Sequence, residues 1–259
     1  MLNLLKAEYV KLRRDRILLY SLIIVAILSL FLVLSYASIE ILLKNEQMEY
    51  IPFDFNGRDI FLSTFSPSQN VGLLIPIILS IILTREFSYG TIRNKVICGH
   101  KKENIYLSLL ISSLVIGLSL FLISALINLL FGSLVLGYGK SFNGDEFLFI
   151  LKSIGIGLLV YSTIIAFTVF IATLVRSLGF TLIIVIISTV ILSMFSSLAA
   201  FQEDLTVFYD IVSMLPHFQL ISIVEMDNNL VIKSIITTVI YLSLFTGLGI
   251  LLLKKRDIK

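Results

Sequence analysis

The chain is poor in charge and in the side chains that carry catalysis. Only 14% of its 259 residues are charged, and it has one cysteine, Cys98, and two histidines, His100 and His217. A soluble domain has about 25% charged residues, so the low charge excludes an ordinary soluble domain. A single cysteine excludes an internal disulfide framework. So few cysteines and histidines also leave little for a transition-metal site.

The motifs of several enzyme classes are also missing. Gly139-Lys140-Ser141 resembles the end of a phosphate-binding loop, but Leu134 occupies the position that requires the first glycine. The sequence has no His-Glu-x-x-His zinc motif and no adjacent pair of glutamates. Gly117-Leu118-Ser119-Leu120 lacks the second glycine of a rhomboid nucleophile. We therefore predict a non-catalytic chain with no cofactor-binding or metal-binding residues.

Long apolar runs dominate the sequence instead. Hydrophobic residues make up 58% of the chain, and the mean hydropathy is +1.02. A helix needs roughly 20 apolar residues to cross the hydrocarbon core of a bilayer. We predict an all-α integral membrane protein, with residues 1–259 forming one transmembrane domain. Its six spans are expected at about 17–39, 68–84, 105–132, 147–175, 178–201 and 231–253.

The distribution of lysine and arginine predicts the orientation. With six spans, 15 of the 20 basic residues fall on the side of the termini and 5 on the other side. The side richer in basic residues is normally cytoplasmic, so both termini are expected in the cytosol of a bacterial cell. Because these residues flank apolar runs, they indicate membrane topology and contact with lipids rather than a nucleic-acid partner.

Two segments outside the spans are also expected to be helical. Residues 1–16 predict an amphipathic interfacial helix carrying Lys11, Arg13 and Arg14. A simple basic anchor is the alternative. Residues 211–224 are apolar but too short to span, and Pro216 interrupts them. A re-entrant or interfacial helical pair fits this segment, and a seventh span is the alternative. The segment 44–67 is either a small cap or a loose loop.

Two residues inside the predicted spans are candidates for a kink or a path. Pro76 in span 2 lacks a backbone donor and is expected to kink or loosen the helix. Asn128 in span 3 is a polar side chain that either makes an interhelical hydrogen bond or lines a path. With Pro216, these are the candidate path or kink residues.

The most distinctive stretch is the basic loop at 85–104, between spans 2 and 3. Thr91 is a candidate N-cap, and Gly99 is a candidate C-terminal stop. A helix of about two turns is therefore predicted at 92–98, with Ile92, Val96 and Ile97 forming its apolar face. Such a helix could rest on anionic lipids, or it could be a coupling helix seated on a cytosolic motor.

The order of motifs resembles the ABC-2 type transporter permeases, the membrane-spanning subunits of bacterial ABC exporters. The resemblance begins with Glu86, three residues, Gly90-Thr91 and an apolar residue, directly after the second of six spans. The basic turn His100-Lys101-Lys102 and the ending 254–258, Lys-Lys-Arg-Asp-Ile, agree with it. The resemblance covers essentially the whole chain. Cys98-Gly99 departs from the family, whose members often have a proline- or serine-bearing turn there.

The resemblance implies a permease that pairs with a second permease, as a homodimer or a heterodimer, above two ABC ATPase subunits. ATP and Mg would bind the ATPases and not this chain. The exported substrate would be hydrophobic or amphipathic, such as an antimicrobial peptide, an antibiotic or a lipid. An ATP-independent carrier or a membrane anchor is the alternative. The implied ATPase-coupling residues are Glu86, Gly90, Thr91, Ile92, Arg93, Lys95 and Val96.

Overall fold

A computed structural model of the chain describes residues 2–45, 55–68, 70–201, 206–226 and 228–256. Within these ranges the chain is helical, and no strand occurs in them. The helices are α1 (Leu2–Arg14), α2 (Arg16–Asn45), α3 (Gly57–Ser63), α4 (Asn70–Ser88), α5 (Thr91–Ile97), α6 (Lys102–Leu136), α7 (Gly144–Val175), α8 (Leu178–Phe201), α9 (Thr206–Val212), α10 (Pro216–Ile221) and α11 (Asn228–Lys255), with a 3-10 turn at Ser222–Glu225.

Six of these helices, α2, α4, α6, α7, α8 and α11, are long and apolar enough to cross a membrane. The six predicted spans and the all-α membrane fold are therefore confirmed. Span 3 was expected to end near Gly132. Helix α6 instead continues to Leu136, and Gly137 follows with a φ of 76°. Gly132 stays helical because it packs against α3, where Gly57 Cα would lie 3.3 Å from an added Cβ.

The core of the bundle centres on α7, and α4, α6 and α11 pack against it. A row of aromatic rings connects α3 to α7. The ring centroids are 5.2 Å apart for Phe61 and Phe65, 5.6 Å for Phe65 and Phe121, and 4.7 Å for Phe121 and Tyr161. Gly157 makes room for this row, because a Cβ there would lie 2.4 Å from the Phe121 ring. Close packing of this kind holds the interior helices at fixed separations.

The spans at the periphery expose apolar surface. In the most apolar stretch of α7, 61% of residues are buried, against 22% in α2, 22% in α8 and 17% in α11. An apolar surface of this extent on a monomer marks contact with lipid or with another protein. The faces of α2, α8 and α11 are therefore suited to both.

The predicted N-terminal helix is present but shorter than expected. Helix α1 ends at Arg14, and the chain restarts as α2 at Arg16. Asp15 marks the break, because its Oδ1 accepts a hydrogen bond from the Ile17 backbone N–H at 3.0 Å. Leu4 is buried and joins the hydrophobic core, so α1 packs on the end of the bundle, against α6.

The segment between α8 and α11 forms short helices, as predicted. Pro216 is the first residue of α10, where its missing N–H costs nothing. His217, Phe218, Gln219 and Leu220 are all buried. Helix α10 packs against α7 and α8, and no seventh span forms within the described residues.

The segment expected as a cap or a loop contains a packed helix. Its residues 46–54 lie outside the described residues. Helix α3 inserts against α6, and its Ile60 and Phe61 are fully buried. Asn56 caps this helix, since its side chain accepts a hydrogen bond from the Asp59 backbone N–H at 3.0 Å.

Candidate functional site: the short helix between spans 2 and 3

The short helix predicted between spans 2 and 3 exists as α5, but its N-cap is not Thr91. Gly90 is the cap, in the left-handed conformation with φ 66° and ψ 14°, and Thr91 is the first helical residue. The Gly90 carbonyl accepts the hydrogen bond from Asn94 N–H at 3.0 Å. Glycine is favoured here because other residues rarely adopt this φ. A left-handed turn thus separates α4 from α5.

The other end of α5 is closed by a Schellman motif. Gly99, with φ 81°, donates its N–H to the Val96 carbonyl at 2.9 Å, and His100 donates to the Lys95 carbonyl at 3.2 Å. The predicted stop at Gly99 is confirmed, although the helix ends at Ile97 with Cys98 as its C-cap. Helix α5 is therefore a short rigid element with a left-handed glycine at each end.

Helix α5 has a buried face and an exposed face. Ile92 is only 1% exposed, and the partly buried Val96 packs on the same core. Ile97 was expected on this apolar face, but it is 71% exposed. It points away because it follows Ile92 by five residues, about 140° further around the helix. Arg93 is also exposed, so the free surface combines a cation with an apolar side chain.

A cluster of four charged side chains ties α5 to the bundle. It consists of Glu8 and Lys11 on α1, Glu86 on α4 and Lys95 on α5. Lys95 pairs with Glu8 and lies 3.4 Å from Glu86, while Lys11 pairs with Glu86 and lies 3.9 Å from Glu8. We call this set the four-charge cluster. It joins three helices that are separate in sequence.

The four-charge cluster is largely withdrawn from solvent. The side chains of Glu8, Glu86 and Lys95 are 6%, 5% and 13% exposed, and that of Lys11 is 39% exposed. Burial lowers the pKa of Lys11, and the neighbouring Glu8 opposes this shift. Two carboxylates balance two ammonium groups, which keeps buried charges compensated. Removing any one member would leave an opposite charge without its partner.

Glu8 is the member that sequence reasoning missed. The signal for it was its i,i+3 spacing to Lys11 on the amphipathic helix. The basic residues Arg13 and Arg14 of the same helix are exposed, and neither belongs to the four-charge cluster. Lys95, one of the implied ATPase-coupling residues, points inward to Glu8 and Glu86. The exposed surface of α5 therefore includes Arg93 but not Lys95, so it carries less positive charge than the sequence suggested.

The candidate path residues lie elsewhere in the bundle. Helix α4 continues through Pro76, which is buried and whose carbonyl accepts a hydrogen bond from Ser80 at 2.7 Å. The expected kink at Pro76 stays a prediction. The Asn128 amide donates to Thr64 Oγ1 at 2.8 Å, which is the predicted hydrogen bond. Pro216 is the first residue of α10.

Comparison with known families decides the class of the protein. Residues 4–193 match the family model described as ABC-2 family transporter protein. The chain belongs to the ABC-2 transporter family. The matched region includes the four-charge cluster and α5, and it ends within α8. No curated protein and no solved structure matches the chain.

Membership in the ABC-2 transporter family confirms the resemblance noted in the sequence. The chain is a multi-pass membrane protein and a permease subunit of an ABC transporter. The family indicates a non-catalytic membrane subunit that associates with an ABC ATPase. This favours the transporter over an ATP-independent carrier or a simple membrane anchor.

Proposed function

We propose that this ABC-2 permease exports its substrate through ATP-driven movement of α5, transmitted by the four-charge cluster. The supporting observation is that Lys95, on α5, contacts carboxylates of two other helices, Glu8 and Glu86. A force on α5 therefore acts on α4 and α1 together. The exposed face of α5, with Arg93 and Ile97, is the surface offered to the ATPase.

The connection continues from the four-charge cluster into the spans. Glu86 lies within α4, two residues before its last residue, Ser88, so displacement of Glu86 would tilt span 2. Helix α1 reaches span 1 through the single residue Asp15. Spans 1 and 2 would then move together when ATP binding closes the motors. A rigid α5 transmits such a movement better than a flexible loop does.

The proposed assembly has two permeases above two ATPase subunits, with ATP and Mg on the ATPases. The second permease is a copy of this chain or a related one, and it would cover part of the apolar faces of α2, α8 and α11. The termini, α1 and α5 lie in the cytosol of a bacterial cell, in accord with the excess of basic residues at that end. The substrate leaves the cell between the two permeases.

Variants of Arg93 and Lys95 test two steps separately. The first step is docking of the ATPase on α5, and the second is transmission of its movement to the spans. With a candidate ATPase partner, Arg93→Glu should reduce co-purification, because it reverses a charge on the exposed face of α5. Lys95→Met should preserve co-purification but reduce permease-stimulated ATP hydrolysis, because it breaks the four-charge cluster. Lys101→Glu, a charge reversal at an exposed site outside α5, is the control.

The results would contradict the proposal in distinct ways. If Arg93→Glu left co-purification unchanged, α5 would not be the docking surface. If Lys95→Met left stimulated hydrolysis at the level of Lys101→Glu, the four-charge cluster would not transmit the movement. Each outcome bears on one step of the proposal.

The expected substrate is a hydrophobic or amphipathic antimicrobial peptide, antibiotic or lipid. The support is the apolar composition of the spans and the shortness of the sequence segments that connect them. A deletion strain should become more sensitive to at least one hydrophobic antimicrobial, and the intact gene should restore resistance. A Lys95→Met gene should fail to restore it. Unchanged sensitivity to hydrophobic peptides and antibiotics, together with unchanged surface lipids, would argue against these substrates.

A further inference from the structure

A cavity of about 310 Å³ lies between α2, α4 and α6, in the half of the bundle away from the termini. Its floor is formed by Ser29, Val71, Ser124 and Asn128, all of them buried. Its mouth is formed by side chains that face outward from α2, with Leu28 41% and Phe31 66% exposed. The cavity is therefore open sideways, toward the hydrocarbon of the membrane.

One polar atom at the floor of the cavity has no partner within the described part of the chain. Asn128 is 1% exposed and uses its amide N–H on Thr64, but its Oδ1 accepts no hydrogen bond. The hydroxyls beside it, Ser29 and Ser124, bond to each other at 2.9 Å. A buried acceptor without a donor is costly, more so at membrane depth, where water does not supply one.

The lining also limits the charge of a ligand. The residues around the cavity are Leu28, Ser29, Phe31, Leu32, Ser35, Tyr36, Asn70, Val71, Leu74, Ser124 and Asn128. Each of them is uncharged at neutral pH, so the site offers no counter-ion to an anion or a cation. A mouth that includes the apolar Leu28 and Phe31, with one buried acceptor at the floor left without a donor, suits a neutral molecule that has a hydrocarbon portion and a donor group.

We propose that this cavity binds a neutral amphiphile, with its hydroxyl or amide N–H donating to Asn128 Oδ1 and its hydrocarbon chain leaving between Leu28 and Phe31 into the membrane. Binding requires neither ATP nor the ATPase, so it stands or fails independently of the proposed coupling. The occupant is a membrane lipid or the transported molecule, because both can share this chemistry.

The test uses a long-chain alcohol carrying a diazirine, photolysed with the purified permease in lipid nanodiscs. The matched probes are the corresponding alkane, which lacks the donor, and the corresponding carboxylate, which is charged. The alcohol should label α2 or α6 around the cavity, and excess unlabelled alcohol should compete. The alkane should label the lipid-facing surfaces of α2, α8 and α11 without saturation. Equal and non-saturable labelling by all three probes would overturn the proposal.

Two pairs of variants separate binding from general damage. Leu28→Trp should fill the mouth and abolish saturable labelling, whereas Ile27→Trp, its lipid-facing neighbour at 59% exposure, should not. Asn128→Ala should weaken apparent affinity about tenfold, as expected for loss of one hydrogen bond at a buried acceptor. Asn128→Ala also removes the hydrogen bond between Asn128 and Thr64, so Thr64→Val is its control. Thr64→Val removes that bond but keeps the Asn128 amide, so it should retain labelling. If the two variants of either pair lost saturable labelling equally, the assignment of the ligand to this cavity would be wrong.

The source of the ligand is decided by adding the ATPase and ATP. A transported molecule should be released from the cavity when ATP is hydrolysed, so labelling should fall. A structural lipid should stay, and labelling should be unchanged. Both results support the site and differ only in the identity of its occupant.

Discussion

The two ends of the bundle each fasten a short helix, but by different means. At the end near the termini, the four-charge cluster and Ile92 hold α5. At the opposite end, α3 is held by backbone contact, with Gly57 N–H donating to the Gly137 carbonyl at 2.7 Å. A Cβ on Gly57 would lie 2.5 Å from the Ser133 backbone nitrogen, whereas one on Gly90 would meet nothing within 4 Å. The contrast makes α3 the fixed joint, whereas α5 is the joint that the proposed coupling requires to move.

Side chains reinforce the fixed joint. Glu146 accepts a hydrogen bond from the Tyr138 hydroxyl at 2.9 Å and lies 3.5 Å from Arg58. The Arg58 guanidinium also lies over the Phe149 ring, 4.4 Å from its centroid. In the four-charge cluster, by contrast, the long flexible lysine side chains make the contacts, and these can follow a displaced helix without losing their partners. Mobility is thus compatible with strong attachment when charges, rather than backbones, make the contact.

The largest expected effect is at the fixed joint. Gly57→Ala should destabilise the protein by about 3 kcal/mol, because the added methyl meets the backbone of α6 and neither side can yield cheaply. The measurement is the free energy of unfolding in mixed micelles. Gly155→Ala is the matched control, since nothing lies within 4 Å of its Cβ position. Similar stabilities for the two variants would mean that α3 is not held by backbone contact.

A smaller loss is expected when the four-charge cluster is broken. Glu86→Gln should cost about 2 kcal/mol, less than a fully buried pair, because Lys11 is partly solvated. The control is Glu103→Gln, which breaks an exposed pair with Lys254 and should change stability much less, because solvent screens the pair. The same unfolding measurement compares them. Equal costs would show that burial does not strengthen the four-charge cluster.

The next largest effect on stability is expected at the left-handed turn that precedes α5. Gly90→Ala should cost about 1 kcal/mol from its positive φ alone, and it should reduce permease-stimulated ATP hydrolysis. Gly247→Ala, in an open position within α11, should be neutral or slightly stabilising. If Gly90→Ala kept full stimulation, α5 would not need this turn for coupling.

The smallest effect concerns pH. Burial, together with the hydrogen bond to Glu146, raises the pKa of Tyr138 to about 12. The folded state therefore holds this proton more tightly than the unfolded chain, so the stabilisation is complete below about pH 10 and is lost as pH rises toward 12. The melting temperature of the wild type should fall more across this range than that of Tyr138→Phe. Parallel profiles would contradict the role of this hydrogen bond.

The sequence predicted the six spans because their signal is compositional and local. It also predicted the stop at Gly99 and the interruption of the segment 211–224 at Pro216, where one residue type suits one backbone position. The predicted end of span 3 was wrong because Gly132 packs against α3, which is a contact between distant parts of the chain. Such a glycine can look like a helix end when only the sequence is considered.

The candidate site was predictable only where the signal is local in the sequence. Glu86, Lys11 and Lys95 were selected individually from a motif or a helix pattern. Their meeting with Glu8 was not predictable, because Glu8 and Lys95 are 87 positions apart in the sequence. Thr91 has the side chain of a good N-cap, but the left-handed turn between α4 and α5 requires glycine at the cap position itself.

Cys98, the C-cap of α5, has a practical consequence for experiment. It is exposed, and it is the chain's one thiol. A maleimide dye or spin label would therefore report from the end of the helix proposed to move, with no engineered cysteine. Paired labels in two copies of the chain would measure the distance between the two helices before and after ATP is added.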